Sequence, residues 1–306
     1  MRQNLNDKVV LITGAARGIG AATARRLVAR GARVALVGLE PERLAELAGE
    51  LGERAVWFEA DVTDQDAVDG AVAGTVAAFG GIDVVVANAG VANNGTVAVN
   101  PPDALVRTVE VNLNGVIRTV SAALPHVTER RGYVALVSST AAFTMMPGMA
   151  AYAASKAGVE QFANCLRLEV AHKGVKVGTA HPSWIDTDMV RDQRAELKTF
   201  ADAIERMPWP MNSTTSVEAC AEALADGIER RKRRIYVPRS LALMHALRTV
   251  LTSPLADRVI GREAKTMVPE LEAELVKLGR WFGSSSVATP RERAPSDDPA
   301  RPKLPT

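Results

Sequence analysis

Short β-branched segments alternate with amphipathic helical segments along the first 240 residues, and this alternation constrains the fold most. The predicted strands lie at 9–13, 33–38, 55–61, 82–90, 133–139, 175–182 and 234–238. The main predicted helices lie between them, at about 22–31, 41–52, 64–80, 102–129, 150–173 and 216–229. Strict alternation predicts an α/β fold, a doubly wound parallel sheet with helices on both faces. Ligands bind such folds at the carboxyl ends of the strands.

The pattern changes after residue 240. Helical segments at 241–251, 254–262 and 263–282 follow one another without an intervening strand, and the last 24 residues contain five prolines and few apolar side chains. We therefore expect three parts: a main domain at 1–240, a helical extension at 241–282 and a disordered tail at 283–306.

Composition excludes several classes of protein. The chain is 47% hydrophobic with a net charge of +2, which gives no overall attraction to nucleic acid or to membranes. Cys165, Cys220 and the four histidines show no disulfide or metal-ligand spacing, so no metal site is expected. There is no apolar run of the ~18 residues that a membrane span needs. Without a leader-like N-terminus, we expect a cytoplasmic protein.

A glycine-rich loop joins the first predicted strand to the first helix. Gly14, Gly18 and Gly20 follow the spacing G-x3-G-x-G. In such a loop, Gly14 permits a tight turn, Gly18 lets the backbone approach a pyrophosphate, and Gly20 allows close packing of helix on strand. An ordinary strand–helix turn is the alternative, but the strand–loop–helix context favours a dinucleotide site.

Tyr152 and Lys156 lie one helical turn apart in the segment AYAASKAGVE. Tyrosine is a poor base because its pKa is about 10. A lysine ammonium on the same helix face favours the phenolate and lowers that pKa. Such a pair is by itself a common solvated surface feature, so its interpretation depends on Ser139, which lies 13 residues earlier.

These motifs together resemble the single-domain branch of the short-chain dehydrogenase/reductase family, over residues 7–240. The matching stretches, in chain order, are 13–20, Asp61, Asn88 to Gly90, Asn112, Ser139, Tyr152 with Lys156, and 181–187. The resemblance implies a Rossmann-type fold and catalysis by Asn112, Ser139, Tyr152 and Lys156. It implies that the cofactor contacts Gly14, Arg17, Gly18, Ile19, Gly20, Gly38, Asp61, Val62, Asn88, Ala89, Gly90, Tyr152, Lys156, Pro182, Ile185 and Thr187.

The resemblance also assigns roles to the catalytic residues. Tyr152 would act as general acid or base, and Lys156 would hold the nicotinamide ribose and favour the phenolate. Ser139 would bind the substrate oxygen, and Asn112 would hold a water that links Lys156 to solvent. Two positions depart from the family: Ser183 replaces a common glycine in the nicotinamide loop, and Ala87 replaces an asparagine.

The choice between NADP and NAD depends on the end of the second strand. Gly38 stands where the family has an acid that binds the ribose of NAD, and Arg17 could pair with the 2′-phosphate of NADP. Glu40 could instead bind the ribose and favour NAD, or cap the following helix. We expect NADP, with NAD as the alternative.

The substrate side is rich in large apolar residues. Twelve follow Ser139 or lie in the insertion after the sixth strand: Phe143, Met145, Met146, Pro147, Trp184, Met189, Val190, Phe200, Ile204, Met207, Trp209 and Met211. They favour a hydrophobic alcohol or ketone of steroid, retinoid, fatty-acyl or terpenoid type, although about half are expected to pack the insertion against the core.

Two other functions stay open. A 3-oxoacyl thioester reductase would give the basic run at 230–234 a docking role, although that run could equally be a solvated helix end. A non-catalytic nucleotide-binding regulator would not need all four catalytic residues. The resemblance implies association through the two long helices, and the second one has apolar side chains at helical intervals, so a homodimer or homotetramer is expected. These side chains are Val159, Phe162, Ala163, Leu166 and Val170.

Overall fold

A seven-stranded parallel sheet lies at the centre of the protein in the computed structural model, which describes residues 3–286. The strands of the protein are β1 (Val9–Thr13), β2 (Arg33–Gly38), β3 (Ala55–Glu59), β4 (Val84–Ala87), β5 (Tyr133–Val137), β6 (Lys176–Pro182), β7 (Trp184–Ile185), β8 (Thr214–Thr215) and β9 (Arg234–Val237). The sheet has the order β3-β2-β1-β4-β5-β6-β9, and β7 pairs with β8 separately. The order reverses between β1 and β4, which confirms the doubly wound fold and places the switch point beside the glycine loop.

Twelve α-helices are found in the described part of the chain. They are α1 (Gly18–Ala29), α2 (Pro41–Leu51), α3 (Gln65–Phe79), α4 (Pro102–Val109), α5 (Gly115–Glu129), α6 (Ala150–Glu169), α7 (Asp188–Glu196), α8 (Lys198–Arg206), α9 (Val217–Glu229), α10 (Leu241–Ala246), α11 (Arg248–Leu251) and α12 (Pro254–Leu278). The predicted helix at 102–129 is divided by a π-helical turn over Glu110–Asn114. The segments at 254–262 and 263–282 form mainly one helix, α12, which continues across the predicted boundary and through Pro269.

The sheet is buried on both faces, which explains the near-continuous apolar strands. Leu11, Val85 and Leu136 point to the face covered by α3, α5 and α6. Val10 and Ile12 point to the opposite face, which α1, α2 and α9 cover. The two layers hold the carboxyl ends of the strands, where the glycine loop and Ser139 lie.

The C-terminal half of α12 packs over the insertion that follows β6. Leu271 and Leu275 are buried against Leu197, Phe200 and Ile204. After α12, residues 281–286 form an irregular segment. The rest of the predicted tail, 287–306, lies outside the described residues, so the division of the chain at 240 and 282 stays a prediction. None of the described helices combines the length and apolarity needed to cross a bilayer.

Candidate active site

The glycine loop packs directly against the end of β4. Gly14 has a φ of +65°, and a β-carbon there would lie 2.8 Å from Ala89 Cα. A β-carbon on Gly20 would overlap the carbonyl oxygen of Gly14. The first turn of α1 can therefore pack against the glycine loop only if residue 20 is a glycine. The N-terminus of α1, where unpaired N–H groups favour anions, therefore opens into the cleft.

Asn88 ties β4 to the glycine loop. Its Nδ2 donates to the carbonyl oxygens of Thr13 at 3.0 Å and Gly14 at 3.2 Å. The Thr13 hydroxyl in turn accepts from the backbone N–H groups of Asn88 and Ala89. Asp61 is fixed separately at the end of β3, where its carboxylate accepts from the N–H and hydroxyl of Thr63.

Helix α6 presents Tyr152 and Lys156 to the cleft on successive turns. The Lys156 ammonium lies 5.7 Å from the centre of the Tyr152 ring and donates to the carbonyl oxygen of Val137 at 2.9 Å. Ser138 fixes the same turn by donating to the carbonyl oxygen of Lys156. No carboxylate within residues 3–286 forms an ion pair with this ammonium group, so its charge is directed at the cleft.

Burial controls the ionisation of both groups. Burial lowers the pKa of Lys156 to about 8. Burial also raises the pKa of Tyr152, and the hydrogen bond with Ser139 acts in the opposite direction. The lowering of the Tyr152 pKa expected from Lys156 is therefore not the net result in this structure, because desolvation of the phenolate is the largest influence on that pKa.

Ser139 is held beside Tyr152 at the end of β5. Its hydroxyl donates to the carbonyl oxygen of Pro182 at 3.4 Å and accepts from the N–H of Ala141 at 3.2 Å. The same hydroxyl hydrogen-bonds Tyr152. A substrate oxygen placed between Ser139 and Tyr152 would thus meet two hydroxyl groups whose positions are set by different elements.

Asn112 lies in the π-helical turn and is fully buried. Its Oδ1 accepts from Val91 N at 2.8 Å, and its Nδ2 donates to Val91 O at 2.9 Å and to Ser155 Oγ at 3.1 Å. A β-carbon on Gly90 would lie 3.1 Å from Asn112 Oδ1 and 3.5 Å from Lys156 Nζ. Asn112 thus joins the loop after β4 to α6 behind the lysine, and a π-turn is a frequent feature of functional sites.

One cleft collects nearly all the residues that the family resemblance implies. It is lined by Ser139, Tyr152, Lys156 and by every residue expected to contact the cofactor except Gly20. Gly20 supports the loop from behind, and Asn112 supports α6. The sequence did not indicate Arg107, Val111, Ser285 or Ser286, which also line the cleft.

Arg17 does not stand free at the far end of the cleft. It forms a two-pronged ion pair with Glu40 and a weaker one with Asp188 at 3.4 Å. The hydrogen bond with Glu40 is the main reason why the pKa of Arg17 is raised. Glu40 makes no side-chain hydrogen bond to the N-terminus of α2, so the proposed helix cap is absent. Both charged groups face the position where the end of β2 meets the cleft.

A methionine-rich pocket adjoins Ser139 and Tyr152. Its apolar wall includes Met145, Met146, Met149, Trp184, Met189, Val190, Met207 and Met211, and Thr140, Thr144 and Gln193 add polar groups. Phe200 and Ile204 instead pack the insertion against α12, and Trp209 is exposed. Ser183 lines both this pocket and the main cleft, and its buried hydroxyl has no hydrogen-bond partner among residues 3–286.

A charged cluster around Glu160 lies one helical turn beyond Lys156, and no sequence motif indicated it. Glu160 accepts from His245 at 2.8 Å and lies 3.5 Å from Arg234 and 3.7 Å from Arg248. His181 stacks nearby and contacts the Ser139 carbonyl oxygen through Nδ1 at 3.3 Å. The cluster therefore connects the extension to the loop that carries Ser139.

The basic run at 230–234 does not form one patch. Arg234 pairs with buried Glu160, whereas Arg231 donates to the carbonyl oxygen of Arg131. Two of the five side chains therefore have partners within the protein, which weakens the idea that the whole run is a docking site.

The chain is similar to known proteins over more than half of its length. A family model described as short chain dehydrogenase matches residues 8–198, more than half of the chain. The chain is 33% identical to cis-4-hydroxycyclohexanecarboxylate dehydrogenase of Sinomonas cyclohexanicum, over 74% of its own length and 90% of that protein. It is 36% identical over 67% of its length to glycine betaine reductase of Emericella nidulans, but spans only 16% of that protein. A solved 3-ketoacyl-(acyl-carrier-protein) reductase from Brucella melitensis, complexed with NADH, has a TM-score of 0.69 and 29% identity, covering 76% of this chain and 97% of its own.

Proposed function

The chain belongs to the short-chain dehydrogenase family of nicotinamide-dependent oxidoreductases acting on CH–OH groups, and from that premise we propose that it interconverts a hydrophobic secondary alcohol and its ketone. The observation that carries the proposal is the meeting of Ser139, Tyr152 and Lys156 on one wall of a cleft whose other wall is the glycine loop. The apolar, methionine-rich pocket beside Ser139 supports a bulky hydrophobic substrate.

The residues present fit a nicotinamide dinucleotide. Gly14, Gly18 and Gly90 line the cleft without side chains of their own, and a ligand there meets the N-terminus of α1. Asp61, Val62, Asn88, Ala89, Pro182, Ile185 and Thr187 complete the proposed cofactor contacts. When bound, the cofactor supplies or accepts the hydride.

Side chains of the protein would carry out the proton transfer that accompanies hydride transfer. The raised pKa of Tyr152 keeps its hydroxyl protonated at neutral pH, which suits donation to a ketone oxygen. Lys156, with a pKa of about 8, is mostly charged at pH 7 and stabilises the phenolate that the donation leaves. The Ser139 hydroxyl stabilises the developing charge on the substrate oxygen. Asn112 holds the loop that follows β4 against α6, behind Lys156.

The experiment that tests this function is a panel of hydrophobic ketones and alcohols, offered with NADPH and NADH and followed at the nicotinamide absorbance. Turnover of apolar ketones with small polar ketones inactive is the expected result. Activity confined to 3-oxoacyl thioesters would favour the second candidate, which the likeness to the Brucella melitensis reductase supports. Cofactor binding without turnover on any compound would favour a non-catalytic regulator.

For the cofactor we propose NADP, bound by Arg17, with NAD as the alternative. The absence of an acid at Gly38 supports NADP, and a 2′-phosphate would replace Glu40 as the bidentate partner of Arg17. Under the alternative, Glu40 would keep Arg17 and bind the ribose hydroxyl of NAD. Michaelis constants decide: Arg17→Ser is expected to weaken NADPH far more than NADH, and a wild-type preference for NADH would overturn the proposal.

We also propose a homodimer or homotetramer. Val159, Ala163, Leu166 and Val170 of α6 are used in the core, but Val106, Ile117 and Leu168 on α4, α5 and α6 are exposed and apolar. A monomeric mass in solution would contradict this. The cytoplasmic location expected from the sequence stays a prediction.

A further inference from the structure

The extension presents an apolar face that nothing in the described chain covers. Within residues 246–266, no side chain is buried. Five large apolar side chains in this region are 49% to 68% exposed. We name them the apolar patch: Leu243, Leu247, Val250, Leu255 and Val259. A succession of exposed leucines and valines on adjacent helices indicates an interaction surface.

The stretch from Arg233 to Lys265, which includes most of this segment, is basic. Residues 233–265 contain seven Lys and Arg and two acidic residues, Asp257 and Glu263. Their net charge is therefore +5, although the whole chain carries only +2. Six exposed cations lie along the same stretch of sequence as the apolar patch: Arg233, Arg239, Arg248, Arg258, Arg262 and Lys265. Glu160 is the buried anion of this region and already has His245, Arg234 and Arg248 as partners.

We propose that the apolar patch and these exposed cations dock the protein onto an anionic lipid surface. Exposed leucine and valine side chains would enter the boundary between headgroups and acyl chains, and the arginines would bind lipid phosphates. Attachment would lie in the plane of the surface, since no described helix could span a bilayer.

A second copy of the chain fits this face less well. In a two-fold interface the same patch meets itself. Such a contact would bring two segments of net charge +5 together, and like charges oppose that pairing. An anionic lipid surface satisfies the exposed apolar groups and the excess positive charge at once.

Helix α12 connects the apolar patch with the methionine-rich pocket. Val259 and Leu271 lie on the same helix, twelve residues apart, and thus about 18 Å along its axis. Leu271 belongs to the cluster that includes Met149, Met146 and Tyr152 beside the pocket. Docking through the first half of α12 would place the pocket close to a surface in which apolar compounds concentrate.

The test measures binding to vesicles of phosphatidylcholine alone and of phosphatidylcholine mixed with phosphatidylglycerol. Val259→Glu and Val276→Glu form a matched pair, since both valines lie on α12 and are 64% and 65% exposed. The wild-type protein should sediment with the mixed vesicles, less so at high salt, and only weakly with phosphatidylcholine. Val259→Glu should weaken binding about tenfold, because a charge replaces an inserted apolar group, while Val276→Glu should bind as the wild type does.

Thermal unfolding and solution mass are measured in parallel on both variants. Equal vesicle binding of the two variants would overturn the proposal, as would no preference for the anionic vesicles. If the wild-type protein ignores vesicles while Val259→Glu alone lowers its solution mass, the patch is an interface between copies. These readouts do not depend on catalysis, so they stand even if no alcohol or ketone is turned over.

Discussion

Two successive turns of α6 bury charges of opposite sign and treat them in opposite ways. Lys156 has a neutral carbonyl oxygen as its hydrogen-bond partner, and burial lowers its pKa to about 8. Burial would raise the pKa of Glu160, but the hydrogen bond with His245 and the nearby charges hold it below its usual value. Lys156, which lacks an oppositely charged partner among the described residues, faces the cleft. Glu160, which has three partners, holds the extension through His245 and Arg248. The proposed proton-transfer site and the contact with the extension therefore lie one turn apart on α6.

The largest effect should come from the catalytic turn. Tyr152→Phe removes the transferable proton but keeps the ring, so kcat should fall by about 10³-fold, within the range for general acids. Cofactor binding, measured by fluorescence titration, should change little, because the Lys156 ammonium and the glycine loop are untouched. Full activity of the variant would remove Tyr152 from the mechanism.

The following turn should respond in stability instead. Glu160→Gln leaves His245 and two arginines around a neutral amide, and we expect a loss of about 3 kcal/mol in the free energy of unfolding. The control is Glu50→Gln, whose partner Arg25 is exposed; its cost should stay within about 0.5 kcal/mol. Urea denaturation of both variants checks this, and equal losses would mean that the buried cluster is not structural.

The sign of the pH dependence distinguishes the two turns further. The folded pKa of Lys156 is about 8, below the ordinary value of 10.5, so the unfolded state binds more protons between these pH values. The burial penalty is fully present below pH 8 and is relieved as pH rises. The stability advantage of Lys156→Met over the wild type should therefore shrink by about 2 kcal/mol between pH 7 and pH 10. Denaturant titrations at both pH values measure it; a constant difference would contradict the lowered pKa.

The smallest effect concerns Ser183, which borders both the main cleft and the methionine-rich pocket. Its buried hydroxyl has no hydrogen-bond partner in the described part of the chain, so we expect it to form a hydrogen bond with a ligand there. Ser183→Gly should raise a Michaelis constant, for cofactor or substrate, about fivefold with kcat nearly unchanged. Ser213→Gly is the control, because that hydroxyl donates to Pro210 O. If both variants match the wild type, Ser183 contacts neither ligand.

The parallel sheet could be predicted from the sequence because it depends on a local pattern, the alternation of short strands and helices. The resemblance at Gly14, Ser139 and Lys156 indicated residues that the structure brings to one cleft, and their roles stay a prediction. The Glu160–His245 contact could not be predicted, since it joins residues 85 positions apart with no motif at either end. The π-turn around Asn112 and the pairing of Arg17 with Glu40 were also missed, because they depend on packing.

The segment at 281–286 has a consequence for the order in which the protein is made. Trp281 O accepts from Asn94 N, Ser285 N donates to Asp192, and Ser285 O accepts from Arg17, 268 residues earlier. A ribosome releases Arg17 long before it adds Ser285, and N-terminal elements generally fold first during synthesis. The cofactor cleft of a nascent chain is therefore still missing part of its rim. A chain stalled within α12 would leave the glycine loop and Arg17 accessible to other ligands until Ser285 has been added.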